Sequence, residues 1–231
     1  MRILVTRPKR EAEATAAKLA ARGHEPIIAP LLEIEFAPGP ELSIEDVKTA
    51  VVTSANGIRA LARRTPRRDL RVIAVGMQSA AVAQQLGFAD IDSAGGDADA
   101  LIDCVAAKLS PENGPLLYPA GGETRGDVAA RLHARGFQVR SEVLYRARAA
   151  QALPATAHDA LSAHRLDATL FYSPRTAQIF CHLARKDLLD IACTGIVAAC
   201  ISKAAADALT IRFKDVRIAI RPNQADLFDL L

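Results

Sequence analysis

Short apolar runs recur along the chain. Between them lie longer stretches in which apolar residues return every third or fourth position. The runs predict strands over 2–6, 26–29, 50–53, 72–75, 115–118, 168–172, 195–199 and 216–219, with extended segments over 32–36 and 138–146. The longer stretches predict helices over 9–21, 56–64, 78–86, 98–108, 124–135, 155–163, 174–184, 203–209 and 224–230. Gly23 and Gly136 follow helices where a left-handed cap is expected. Pro38-Gly39-Pro40 is a strong break. Apolar strands alternating with helices indicate parallel sheets covered on both faces, so the chain is α/β.

The pattern also repeats. Lys18-Leu19-Ala20-Ala21-Arg22-Gly23-His24 is similar to Arg131-Leu132-His133-Ala134-Arg135-Gly136-Phe137, offset by 113 positions. Val52-Thr53-Ser54-Ala55-Asn56 is similar to Phe171-Tyr172-Ser173-Pro174-Arg175, offset by 119. Gly76-Met77-Gln78-Ser79-Ala80 is similar to Ser202-Lys203-Ala204-Ala205-Ala206, offset by 126. These offsets predict two copies of one α/β unit. If the extended segments near 33–37 and 143–148 pair as a two-stranded connector, one domain combines 1–35 with 149–231 and the other spans 38–143.

Length and composition narrow the class. The 231 residues suit one large domain or two small ones, and half are hydrophobic, ample for a packed core. No apolar run approaches the ~20 residues of a membrane span. The opening Met-Arg-Ile-Leu-Val-Thr-Arg-Pro lacks the form of a secretion signal, so a cytoplasmic protein is expected. A net charge of +3 does not point to nucleic acid. The densest basic group, Arg63, Arg64, Arg67, Arg68 and Arg71, has no interleaved aromatics to stack bases and reads as a solvated face. Cys104, Cys181, Cys193 and Cys200 form no CxxC pair, and the five histidines show no ligand spacing, so no metal is expected.

Candidate chemistry gathers where strands end and helices begin. In open parallel sheets that crevice holds ligands, and the helix start offers backbone N–H groups and partial positive charge. The turns are Thr53-Ser54-Ala55-Asn56, Gly76-Met77-Gln78-Ser79, Tyr118-Pro119-Ala120-Gly121-Gly122, Ser173-Pro174-Arg175-Thr176 and Ser202. Each hydroxyl there also reads as an ordinary helix N-cap. No GxGxxG, GxxxxGK[ST] or GxSxG is present, which disfavours nicotinamide-dinucleotide, P-loop and serine-hydrolase chemistry. An anion-binding protein of two similar units remains. A non-catalytic small-anion binder and a nucleotide-binding flavodoxin-like enzyme both fit it.

The ordered motifs resemble the uroporphyrinogen-III synthase family over essentially the whole chain. They are Val5-Thr6-Arg7-Pro8, Pro30 to Ile34, Thr53-Ser54-Ala55-Asn56-Gly57, Val75-Gly76-Met77-Gln78-Ser79-Ala80 with Gly87, and Tyr118-Pro119-Ala120-Gly121-Gly122-Glu123-Thr124-Arg125. Gly136, Val143-Leu144-Tyr145-Arg146 and Phe171-Tyr172-Ser173-Pro174 follow. The resemblance implies two flavodoxin-like α/β lobes joined by a two-stranded β-ladder. It implies an enzyme that dehydrates and cyclises hydroxymethylbilane, a linear polycarboxylate tetrapyrrole, to uroporphyrinogen III with inversion of ring D. The substrate would lie between the lobes of a monomer that needs no metal or cofactor and no nucleic-acid or membrane partner. Tyr145 matches a family tyrosine and is the expected proton donor. Arg7, Thr53, Ser54, Asn56, Gly76, Gln78, Ser79, Ser173, Pro174, Arg175, Thr176 and Ser202 are expected to bind substrate. Arg125 fits either a substrate contact or a surface salt bridge. Two departures stand out. Ala205 replaces the family's threonine in the second copy, where backbone amides and Lys203 would have to serve, and Tyr172-Ser173 replaces Thr-Ser.

Overall fold

The computed structural model describes residues 1–122 and 127–231. In chain order the elements are β1 (Arg2–Val5), α1 (Lys9–Ala20), β2 (Glu25–Ile28), β3 (Leu32–Phe36), β4 (Thr49–Val52), α2 (Ala55–Arg64), β5 (Arg71–Ala74), α3 (Met77–Gln85), β6 (Ile91–Ser93) and α4 (Ala98–Lys108). They continue with β7 (Leu116–Gly121), α5 (Val128–His133), β8 (Val139–Ala149), α6 (Ala155–Ser162), β9 (Ala168–Phe171), α7 (Pro174–Lys186), β10 (Val197–Cys200), α8 (Lys203–Asp207), β11 (Asp215–Ile218) and α9 (Gln224–Phe228). The chain divides into a first unit, Met1–Glu33 with Arg148–Leu231, and a second, Ile34–Ala147.

In the first unit the strands run in the order β11-β10-β9-β1-β2, every neighbouring pair parallel. Counted within that unit this is the doubly wound order 2-1-3-4-5. The second unit has the same arrangement of parallel strands, β6-β5-β4-β7-β8, counted 3-2-1-4-5 within it, with β3 added beyond β8. The registers correspond. Ala168 stands opposite Ile3 and Val197 in one sheet, and Thr49 opposite Leu116 and Arg71 in the other. These are the offsets of 113, 119 and 126 seen in the repeats. Each unit therefore takes one half from each copy, and one unit is a circular permutation of the other.

The cores follow from alternation. Successive strand side chains face opposite sides of a sheet, and helices cover both sides. In the first unit Leu4, Phe171, Ala198 and Cys200 pack on one side with Leu161 and Phe180. Ile3, Val5, Leu170 and Ala199 pack on the other with Leu19 and Leu227. In the second unit Ala50, Val52, Val72 and Leu117 meet Ile58 and Leu61, while Val51, Ile73, Leu116 and Tyr118 meet Leu101, Val105 and Leu132. Each buried Leu, Ile or Phe contributes roughly 1.5–3 kcal/mol.

The arginine run is not a bare solvated face. Carbonyls in the last turn of a helix lack intrahelical partners. Arg68 donates to the carbonyls of Ala62 and Thr65 at the end of α2 and of Leu86 at the end of α3. Arg67 donates to Ile44 and Val47, and Arg64 to Pro40. Arg63 stacks on Phe36 at 4.1 Å, and Arg71 pairs with Asp92 at 2.6 Å.

Several expectations change. The strand expected over 115–118 runs to Gly121, so Pro119 and Ala120 lie inside β7 rather than in a turn. β6 was not expected, because Ile91-Asp92-Ser93 carries a single apolar residue; Asp92 is held there by Arg71 and Lys108. The segments near 33–37 and 143–148 pair as expected, β3 against β8; the 11-residue β8 also lies against β7 over Val139–Tyr145, so the ladder extends from the edge of the second sheet. The helix expected over 124–135 is described only as Val128–His133; Thr124 and Arg125 lie outside the described residues. β11 is an edge strand whose four residues are all exposed.

Candidate active site

In the second unit the chain winds from β7 to one side and from β4 to the other. Their carboxyl ends therefore open a crevice, the usual ligand position in such sheets. The hydroxyl-bearing residues gather here. Ser54 follows β4 in extended conformation and caps α2, its Oγ accepting the Gly57 N–H at 3.1 Å. The same Oγ lies 2.7 Å from the Tyr145 hydroxyl on β8. Thr53 Oγ1 lies 3.2 Å from the hydroxyl of Tyr118, a residue almost wholly buried on β7.

Two glycines permit this arrangement. A Cβ on Gly121 would come within 3.0 Å of Tyr145 Cζ, so the phenol ring lies over a residue without a side chain. A Cβ on Gly57 would come within 2.8 Å of the Pro119 carbonyl oxygen, so only glycine lets the start of α2 approach β7. A register shift between Ala120 and Gly121 sets Gly121 opposite Tyr145. Such bulges re-aim side chains beside active sites. Burial pushes the Tyr145 phenol above its ordinary pKa, and the Ser54 hydrogen bond pulls it partly back. It is therefore a protonated acid at neutral pH.

The corresponding crevice of the first unit lies at the ends of β1 and β9. Thr6 is buried and donates to the Leu170 carbonyl at 2.9 Å. The Arg7 guanidinium sits 4.2 Å from the ring centre of Tyr172, and its Nη1 donates to Thr15 Oγ1 at 3.3 Å. Tyr172 stands in the register position of Thr53. Burial raises its pKa, and the nearby Arg7 charge opposes that rise. Ser173 caps α7 by accepting the Thr176 N–H at 3.2 Å, with Pro174 in the first turn, where a missing N–H costs nothing. Ser202 caps α8 from the Ala205 N–H at 3.3 Å.

The structure thus joins Tyr145 to Ser54, Thr53 to Tyr118, and Arg7 to Tyr172 beside Ser173. Other expected contacts are less available. Ser79 is 5% exposed and Thr176 3%, and the Thr176 hydroxyl already donates to the Ser173 carbonyl. The Asn56 oxygen accepts from Arg59 at 2.8 Å, leaving its amide hydrogens as donors. Gly76 caps α3 in extended conformation and Gln78 is exposed, while Arg175 is half-buried in the first turn of α7. Lys203 is ion-paired with Asp207. Thr15 was not singled out from the sequence, and Tyr118, Gly57 and Gly121 were named only as members of candidate turns and motifs, without the contacts they make. Their roles arise only when distant strands come side by side, although the Gly121-Gly122 pair was visible as a turn.

A polar cavity of about 450 Å³ lies at the opposite, amino end of the second sheet, lined by Lys48, Arg67, Arg71 and Lys108 with Asp69 and Asp90. Arg67, Arg71 and Lys108 there are already paired with Asp69 or Asp92. Among the described residues no cluster of three or more His, Cys, Asp or Glu could hold a metal ion, and no helix is long and apolar enough to cross a membrane.

A sequence model of the family described as uroporphyrinogen-III synthase HemD matches residues 13–229. Two solved structures are similar over the chain's full length. Uroporphyrinogen-III synthetase from Helicobacter pylori has 17% identity and a TM-score of 0.66, covering 100% of this chain and 98% of that one. A mutant uroporphyrinogen III synthase from the extremely thermophilic bacterium Thermus thermophilus has 19% identity and a TM-score of 0.56, covering 100% and 97%. At these identities the likeness is one of fold. No curated protein matches by sequence.

Proposed function

The chain belongs to the uroporphyrinogen-III synthase family, the cyclising lyases of porphyrin biosynthesis, and from that premise we propose that its second unit supplies the proton for dehydration through Tyr145. The observation that carries this reading is the Tyr145 phenol, protonated and held 2.7 Å from Ser54 at the carboxyl end of the sheet. The phenol proton passes to the hydroxyl on ring A of hydroxymethylbilane. The C–O bond breaks with its electron pair, water leaves, and the pyrrole nitrogen lone pair fills the gap to give an azafulvene cation. Ring D then attacks the ring-A methylene through its substituted carbon to give a spiro intermediate. The bond from that carbon to the ring-C methylene breaks, leaving an azafulvene cation on ring C, and the unsubstituted α-carbon of ring D attacks that methylene to close the inverted macrocycle. The proton lost as the rings regain aromaticity returns to the phenolate.

Without the enzyme, closure at the unsubstituted carbon gives the type I isomer. Inversion is therefore a problem of orientation, worth up to ~7–11 kcal/mol in favourable cases. The substrate carboxylates meet Arg7, Thr53, Asn56, Arg175, Ser202 and the backbone amides at Gly76 and Gln78, with Arg7 the charge-assisted contact. The backbone amide at Ser173 supports them, and Pro174 fixes the start of α7; the amides of Ser79 and Thr176 are taken by the Gly76 carbonyl and the Ser173 hydroxyl. The protein works as a cytoplasmic monomer without metal or organic cofactor.

The test is to supply fresh hydroxymethylbilane, oxidise the products and separate the uroporphyrin isomers by chromatography. Predominant type III, unaffected by chelator, is expected. Type I formed at the spontaneous rate would contradict the reading and leave an anion-binding protein.

A further inference from the structure

Ser54 was expected to touch a substrate carboxylate, but its hydroxyl is engaged inside the protein. A serine hydroxyl has one hydrogen and two lone pairs. The Gly57 N–H occupies one lone pair at 3.1 Å, and the Tyr145 oxygen stands 2.7 Å away. Two arrangements are open: Tyr145 donates to Ser54, or Ser54 donates to Tyr145. Only the second leaves the phenol hydrogen available to another molecule.

The surroundings favour the second arrangement. The Ser54 oxygen sits at the positive end of α2 and receives a helix N–H, which polarises its own O–H into a better donor. The Tyr145 ring is kept close by the absent side chain of Gly121. Capping alone does not account for the pair. Ser173 caps α7 in the same way, and its neighbouring hydroxyl is Thr176 at 3.1 Å rather than a phenol. Ser202 caps α8 by accepting the Ala205 N–H.

We infer that Ser54 is a positioning residue: it donates its hydroxyl hydrogen to Tyr145, aims the phenol O–H out of the pair, and holds the phenolate once the proton has left. The inference rests on the reading of Tyr145 as the proton donor. It goes beyond that reading in assigning Ser54 to the acid rather than to the substrate.

The experiment places 3,5-difluorotyrosine at position 145, where its lowered pKa range suits a folded protein, and follows its titration by fluorine NMR. The backgrounds are Ser54, Ser54→Gly and Ser54→Thr. Glycine is tolerated at an N-cap, so Ser54→Gly removes the hydroxyl while sparing the helix. The phenol titration should move up by on the order of one pH unit in Ser54→Gly, since the charged form loses a hydrogen bond. The alkaline limb of kcat should move up by the same amount, and Ser54→Thr should restore both. An unmoved or lowered titration in Ser54→Gly, or Ser54→Thr behaving like it, would overturn the inference. Tyr145→Phe turning over at the wild-type rate would instead overturn the proton-donor reading, with the Ser54-dependent titration still in place.

Discussion

At the crevice of each unit a tyrosine stands beside a serine-capped helix, and the two use it differently. In the second unit Tyr145 comes from β8 and its hydroxyl reaches Ser54. In the first, Tyr172 comes from the end of β9 and its ring lies beneath Arg7. One scaffold, permuted and used twice, presents a weak acid in one place and a fixed cation in the other. The helix cap is common to both, so it cannot be what distinguishes them. The difference lies in Tyr145 and Gly121 on one side and Arg7 and Tyr172 on the other. On the proposed reading both units meet substrate carboxylates, but the second alone supplies the proton and the first supplies the charge-assisted contact through Arg7.

The largest expected effect breaks or keeps that comparison outright. Tyr145→Phe should lower kcat by ~10²–10⁴-fold, the usual worth of a general acid. Tyr172→Phe keeps the ring under Arg7 and should stay within a few-fold of wild type. Equal losses in steady-state assays would erase the proposed division of labour. Next comes Gly121→Ala, whose new methyl must displace the Tyr145 ring. Misplacement of a reacting group costs up to ~10²-fold, so turnover should fall while the circular dichroism spectrum stays unchanged. Gly195→Ala in the first unit, with nothing within 4 Å, should be silent.

A smaller, purely structural contrast concerns the third position of each capped helix. Gly57 faces the Pro119 carbonyl, whereas Thr176 fills the same place in α7. Gly57→Ala should cost roughly 1–3 kcal/mol by overpacking, read as a lower denaturant midpoint.

The smallest effect concerns acid, and the two units share its cause. Hydrogen bonds from Lys108 and then Arg71 hold Asp92 of the second unit below the ordinary carboxylate range, and Arg221 and Asn223 do so for Asp226 of the first. A lowered folded pKa gives stability that is complete above the unfolded value of about 3.9 and is lost as pH falls through the lower folded value. Asp92→Asn should therefore destabilise at pH 7 and matter progressively less in that acid window. A constant deficit down to the lowest pH at which the protein folds would contradict the assignment.

Most of the fold was legible because strand periodicity is local. Leu4 and Val5 announce opposite faces without knowledge of their neighbours. The repeat was legible for the same reason, and its offsets reappear in the strand registers. β6 was hidden because ion pairs to Arg71 and Lys108 position it rather than apolar residues. β11 was read as covered, yet an edge strand has a neighbour on one side only. Within the candidate site, Tyr145 was legible through the family resemblance. The Tyr118–Thr53 contact, the Thr15 support of Arg7 and the clearance at Gly121 were not. Each depends on side chains that meet only after β7, β4 and β8, or β1 and β9, are laid together.

The central claim is that the Tyr145 phenol gives up its proton as the ring-A hydroxyl leaves. The most direct measurement replaces Tyr145 with a series of fluorinated tyrosines and follows kcat against pH, beside the same series at Tyr172. General-acid catalysis predicts that kcat on the acid side rises as the phenol at 145 becomes more acidic. It also predicts that the alkaline limb moves down in step with that phenol's titration, and that the series at 172 changes neither. A kcat and a limb indifferent to the acidity of the phenol at 145 would contradict the account.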